Sequence, residues 1–219
     1  MIFVNYKTFE ESSGPKAISL TKILEETASE SQVKIIPVVQ IIDSESVIAS
    51  TKLEVWIQHV DPISFGAHTG WTLPEEAARI GISGVFLNHS EHKFENFDVL
   101  YTANEKAMSA NLKTLIFAGS LDELKKVVGL APTYVAYEPP ELVGSTTTSV
   151  AEAQPEIISQ AVEIARGAGL PLVVGAGIHS INDVKKSLEL GAVGVAVATD
   201  IIKAIDPKKE LLDLIEGFK

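Results

Sequence analysis

Eight short runs rich in β-branched residues recur along the chain, and the stretches between them carry helical patterns. The runs are Ile2–Asn5, Lys34–Val39, Glu54–Val60, Gly84–Leu87, Leu112–Phe117, Thr133–Tyr137, Pro171–Gly175 and Ala192–Val197. Most are nearly continuous in apolar side chains, as parallel strands covered on both faces require. Between them, Pro15–Glu30 gathers Ile18, Leu20, Ile23 and Leu24 on one side, with Pro15 suited to a first turn. Asp43-Ser44-Glu45-Ser46 opens a second helix, and Ser120-Leu121-Asp122-Glu123 reads as a capping box. Ala151–Arg166, Ser180–Leu190 and Pro207–Phe218 complete the helical set, with Ser180 as an N-cap. Gly167, Gly169 and Gly191 sit where helices hand over to strands.

Eight strands, each followed by a helix, predict an α/β protein of one domain over residues 1–219: a closed (β/α)₈ barrel. With 219 residues the chain is shorter than the roughly 250 typical of that architecture, so some helices must be trimmed. An open doubly wound sheet is the alternative, and it lacks a G-x-G-x-x-G after the first strand.

The net charge of −11, with no basic stripe, argues against a nucleic-acid partner. The absence of cysteine excludes disulfides, thiolate nucleophiles and Cys-ligated zinc. Met1-Ile2-Phe3-Val4-Asn5 lacks the basic start and long apolar stretch of a signal peptide, and no run reaches the roughly 18 apolar residues of a membrane span. A cytoplasmic protein without a membrane partner is the expectation.

In a parallel α/β barrel the chemistry sits where strands end. Asn5-Tyr6-Lys7 follows the first strand, Asn88-His89-Ser90-Glu91 the fourth and Tyr137-Glu138-Pro139-Pro140 the sixth. Strand alternation sends Asn5 and Lys7 to one side, where the lysine supplies positive charge for an anionic substrate. The same parity places Val85, Leu87 and His89 on one face, and Tyr134, Ala136 and Glu138 on another. A short helix opening at Ser90-Glu91-His92 would hold the imidazole neutral, with the Glu91 N–H on one ring nitrogen and the proton on the other. Glu138, ahead of two stiffening prolines, is placed to act as a base that loses its water when a loop closes. Taken singly, each residue is more often structural, and His59, His68, His92 and His179 are read that way. One base, one neutral donor and one cation together suit proton transfer beside the carbonyl of a small anion.

The segment Pro139–Thr147 has rigid prolines, apolar Leu142 and Val143, and a small-residue exit, which suits a lid that closes as a unit. Gly144 lets its N–H approach a phosphate oxygen. Val174-Gly175-Ala176-Gly177-Ile178 and Val197-Ala198-Thr199-Asp200 end the last two strands, where barrels of this kind hold phosphate through backbone N–H groups.

These motifs resemble the triosephosphate isomerases of the short archaeal type, over the whole chain. The resemblance implies a TIM barrel that interconverts dihydroxyacetone phosphate and D-glyceraldehyde 3-phosphate through an enediolate, in glycolysis and gluconeogenesis, without a metal or organic cofactor. It implies Asn5 and Lys7 as the substrate-binding pair, His89 as electrophile and Glu138 as proton acceptor. Val143, Gly144, Gly177, Ala198 and Thr199 then fall on phosphate-binding positions. His59–Pro62 through Gly66–Gly70 resembles a loop inserted beside a neighbouring subunit's site, which implies a homodimer or homotetramer in which Thr69 buttresses a partner's Asn5 and Lys7. Three positions depart from the pattern: Thr146 in the lid, Trp71 in the inserted loop, and Asp200. A carboxylate at 200 repels phosphate unless its side chain turns away. From the residues alone, another phosphate-binding barrel acting on pentose phosphates and a catalytically silent barrel stay open as alternatives.

Overall fold

The computed structural model describes residues 1–139 and 155–219, and it is a closed barrel of eight parallel strands in sequence order. The strands are β1 (Ile2–Asn5), β2 (Ile35–Val39), β3 (Trp56–Ile57), β4 (Gly84–Leu87), β5 (Lys113–Ala118), β6 (Tyr134–Tyr137), β7 (Leu172–Val174) and β8 (Gly194–Val197). Closure runs through β8 against β1, with Ile2 opposite Val195 and Val4 opposite Val197. The helices between them cover the outside of the barrel, so the strands are buried on both faces and show no apolar/polar alternation.

Two separate cores follow from strand parity. Phe3, Ile36, Val38, Trp56, Phe86, Leu115, Phe117, Ala136 and Val173 pack together inside the barrel, while Ile2, Val4, Val85, Leu87, Ile116 and Val135 face the helices. The interior is filled by aromatic edges, with Phe3 against Trp56 at 5.1 Å and Phe86 against Phe117 at 4.8 Å between ring centroids. Gly84 lies opposite Trp56 in the ladder, and a methyl group there would occupy the indole's own volume. Any side chain at 84 would overpack the interior at a cost of about 1–3 kcal/mol.

The helix starts follow capping chemistry. In α1 (Pro15–Ser31) the proline occupies the first turn, and α4 (Phe97–Ser109) begins with Asn96 accepting from the Val99 N–H at 3.0 Å. In α7 (Ile181–Glu189), Ser180 caps as expected and Asp183 completes a reciprocal box. At α5 (Leu121–Val127) only half of the expected box forms. The Ser120 hydroxyl accepts from the Glu123 N–H, but the Glu123 carboxylate accepts from Gly119 and from Asn88. It is drawn off by the site at the end of β4.

Boundaries shift where tertiary contacts override local preference. The helix expected to open at Asp43 begins earlier, as α2 (Ile41–Ile48). The expected strand Glu54–Val60 shrinks to two residues; Glu54, ahead of it, meets Lys34 and Lys113, and the Gln58 side chain after it bonds to Asn5 and to the Lys7 carbonyl past β1. The helix expected from Ala151 is α6 (Pro155–Gly167), and the expected residues Ala151–Gln154 lie outside the described residues. Among the described residues, no helix is long and apolar enough to cross a membrane.

Candidate active site

Asn5 ends β1 on the same face as Phe3, so its side chain points into the barrel mouth. Lys7 adopts a left-handed backbone at φ 47°, which folds the chain over Asn5 and lets the Lys7 N–H donate to Asn5 Oδ1 at 3.0 Å. Gln58, just past β3, donates its amide to the Lys7 carbonyl at 2.9 Å and to Asn5 Oδ1 at 3.3 Å. Nothing in the sequence pattern singles out Gln58 beyond its place after a strand. Lys7 Nζ lies 2.6 Å from Glu91 Oε1 and is the one lysine or arginine among the described residues lining the cavity.

His89 reaches the same cavity by a route that strand parity does not predict. Val85 and Leu87 point outward to the helices, so strict alternation would send His89 there too. Asn88 breaks the alternation with φ 59°, and His89 turns inward instead, its ring edge-on to Phe117 at 4.8 Å. Asparagine is one of the few residues that enters the left-handed region readily. Its side chain then fixes the turn, donating to the Phe117 carbonyl at 3.0 Å and to Glu123 Oε1 at 2.8 Å.

The helix expected at Ser90-Glu91-His92 does not form; the segment is a turn closed by His92 N–H onto the His89 carbonyl at 2.9 Å. Phe94 N–H is drawn back to Asn88 Oδ1, which diverts the chain before a helix can propagate. The Glu91 N–H still donates to His89 Nδ1 at 3.2 Å, so the neutral ring carries its proton on Nε2. Burial, rather than a helix dipole, pushes the imidazole down to about 4; Lys7 presses the same way and Glu91 opposes both.

Glu138 follows β6 on the same inward face as Tyr134 and Ala136. Its backbone N–H continues the ladder to the Ala118 carbonyl, which fixes the strand exit. Oε2 lies 3.3 Å from His89 Nε2 and 3.3 Å from the Ser90 hydroxyl. Burial pushes the carboxyl up to about 7, with Lys7 and the Ser90 hydrogen bond holding it from rising further. Gly175 leaves the room this carboxylate occupies: a methyl group there would stand 3.0 Å from Glu138 Oε1.

Gly177, Ala198 and Thr199 line the same cavity, so seven expected residues converge on one mouth. Ala176 and Gly177 take left-handed backbones at φ 72° and 66° after β7, and α8 (Thr199–Ile202) starts straight after β8. Val143, Gly144 and Thr146 lie outside the described residues. His179, read as structural, meets Asp200 across the two loops, and the Asp200 carboxylate is thereby taken up by the imidazole Nδ1. Among the described residues, no group of three or more His, Asp or Glu is arranged to hold a metal ion. The arrangement offers a shielded base, a neutral donor beside it, one cation, and two backbone loops open to an anion.

Comparison with known proteins agrees with this geometry. A family model described as triosephosphate isomerase matches residues 1–217. The triosephosphate isomerase of Metallosphaera sedula is 38% identical over 218 residues, covering 99% of this chain and 95% of the relative. That of Methanocaldococcus jannaschii is 34% identical over 218 residues and 99% of each chain. That of Thermoplasma volcanium is 35% identical over 215 residues, 98% of this chain and 99% of the relative.

Proposed function

The chain belongs to the triosephosphate isomerase family and interconverts dihydroxyacetone phosphate and D-glyceraldehyde 3-phosphate, and we propose that Glu138 carries the proton between the two carbons. The carboxylate removes a hydrogen from the carbon next to the carbonyl, the electron pair moves onto the carbonyl oxygen, and an enediolate forms. His89 Nε2–H and the Lys7 ammonium stabilise that oxygen as its charge grows. His89 then moves a proton between the two oxygens, and Glu138 returns its proton to the adjacent carbon. The phosphate rests on the backbone at Gly177, Ala198 and Thr199, with Val143 and Gly144 added by the lid, whose closure keeps water from the enediolate. No metal or organic cofactor takes part in this scheme.

The observation that carries the assignment is the 3.3 Å separation of His89 Nε2 and Glu138 Oε2, with the Glu91 N–H setting the imidazole tautomer. A coupled assay with both triose phosphates and a pentose phosphate tests it. Turnover of the trioses alone, reduced by orders of magnitude in Glu138→Gln and His89→Gln, is the expected result, since one oxyanion donor is typically worth about 2.7–4 kcal/mol. Rates near wild type in either variant would remove that residue's role.

We further propose a homodimer or homotetramer acting in the cytoplasm in glycolysis and gluconeogenesis. Phe65 and Trp71, 74% and 54% exposed on the inserted loop, support such an interface, with Thr69 reaching a partner's Asn5 and Lys7. Light scattering on the purified protein decides the subunit count.

A further inference from the structure

The sequence puts a carboxylate, Asp200, in the first turn of α8, beside Thr199 at the end of the cavity where the proposed phosphate is held. An unpaired negative charge there opposes a phosphate dianion. It is not unpaired: His179 Nδ1 is in hydrogen-bond contact with Asp200 Oδ2, joining the loop after β7 to the loop after β8. Both residues line the cavity.

His179 is itself held in place from its backbone. Its N–H donates to Asp183 Oδ2 at 3.1 Å, and Asp183 is the residue that closes the capping box of α7. Its Nε2 is buried with no hydrogen-bond partner among the described residues, so Asp200 is the ring's one polar anchor among them. With Nδ1 donating, the imidazole hydrogen bond disperses the carboxylate's charge.

We propose that His179 is a positioning residue for phosphate binding: it acts through Asp200, holding the carboxylate off the phosphate. The inference rests on the reading that Gly177, Ala198 and Thr199 bind the phosphate. It also explains why the chain carries a carboxylate in a phosphate loop without losing the site: the histidine two residues after Gly177 compensates for it.

The test uses the full-length enzyme with His179→Ala, His179→Phe, Asp200→Asn and the double variant His179→Ala/Asp200→Asn. Each is assayed for kcat and KM with glyceraldehyde 3-phosphate and for Ki of inorganic phosphate. Freeing a carboxylate near a bound dianion is expected to raise KM and Ki about tenfold in both single histidine variants, with a smaller loss in kcat. Asp200→Asn should stay within about twofold of wild type, and the double variant should recover to within about threefold, because no unpaired carboxylate remains. Either histidine variant decides the matter if the other fails to fold. KM and Ki unchanged on loss of His179, or a double variant as impaired as His179→Ala, would overturn this role while leaving the phosphate site intact. Failure of inorganic phosphate to compete in the wild-type enzyme would overturn the site itself, and the role of His179 with it.

Discussion

His89 Nε2 and Glu138 Oε2 stand 3.3 Å apart at the exits of β4 and β6, with only 8% and 7% of the two residues exposed. Burial moves them in opposite directions, the imidazole down to about 4 and the carboxyl up to about 7. Between those limits the free site holds a neutral donor next to a group on the edge of ionisation. That is the combination a proton transfer near neutral pH asks for, because a base is most effective when its pKa is close to the working pH. In the proposed reaction a substrate oxygen accepts the Nε2–H hydrogen bond in place of the carboxylate, which is left free for carbon.

The pH profile follows from these two groups. As the proposed base, Glu138 would act only when ionised, so kcat/KM in the free enzyme should fall about tenfold per pH unit below about 7. His89 is already neutral throughout that range, and its protonation should add a second limb only toward pH 4. Stopped assays of kcat/KM between pH 4 and 9 check both limbs. A profile flat down to pH 5 would show that Glu138 is not buried in the free enzyme as described.

The same burial has a cost in stability with a definite sign. A carboxyl whose folded pKa is raised above its unfolded value binds its proton more tightly when folded, so ionisation destabilises the fold as pH rises from about 4.5 through about 7. Glu138→Gln, which cannot ionise, should melt at a higher temperature than wild type at pH 8. The gain should shrink at pH 5, where Glu138 in the folded protein is already protonated and only the early part of the titration has been passed. Thermal melts of the two proteins at these pH values measure the difference directly.

How much of this was legible in the sequence depends on whether local pattern or tertiary contact decided the outcome. The eight apolar runs predict the barrel because strands buried on both faces need continuous apolar residues, and all eight appear. Asn5 and Glu138 follow from alternation, because β1 and β6 run regularly up to their ends. His89 lands in the cavity against its own alternation, since a single left-handed residue, Asn88, reverses the parity. Gln58, Ser90 and the clearance at Gly175 are contacts between distant segments, and one strand's pattern carries no record of them. Asp200 is visible as a departure, but its answer in His179 belongs to the neighbouring loop.

Gly175→Ala isolates the space the base needs. Position 175 lies outside the left-handed region, so alanine fits the backbone. The added methyl group would meet Glu138 Oε1 at 3.0 Å and its Cβ at 3.4 Å, forcing the side chain to move by a few tenths of an ångström. Small misplacements of a reacting group are expensive in rate, and roughly tenfold in kcat is expected here. The melting temperature should change little. A full-rate Gly175→Ala enzyme would mean that Glu138 tolerates displacement and that this clearance is incidental.

Asn88 offers the sharpest separation of backbone from side-chain effects. It supplies both the φ of 59° that turns His89 inward and the hydrogen bonds to the Phe117 carbonyl and Glu123. Asn88→Gly keeps the left-handed turn accessible and loses only the side-chain bonds, a cost of about 1–3 kcal/mol for a buried group. Asn88→Ala loses those bonds and also strains the turn, adding about 1–3 kcal/mol. If the turn is what aims His89, the glycine variant should retain much more kcat than the alanine variant, even though both are destabilised. Equal activity losses in the two would place the control in the side-chain network instead, and chemical denaturation alongside the kinetics keeps the stability and aiming effects apart.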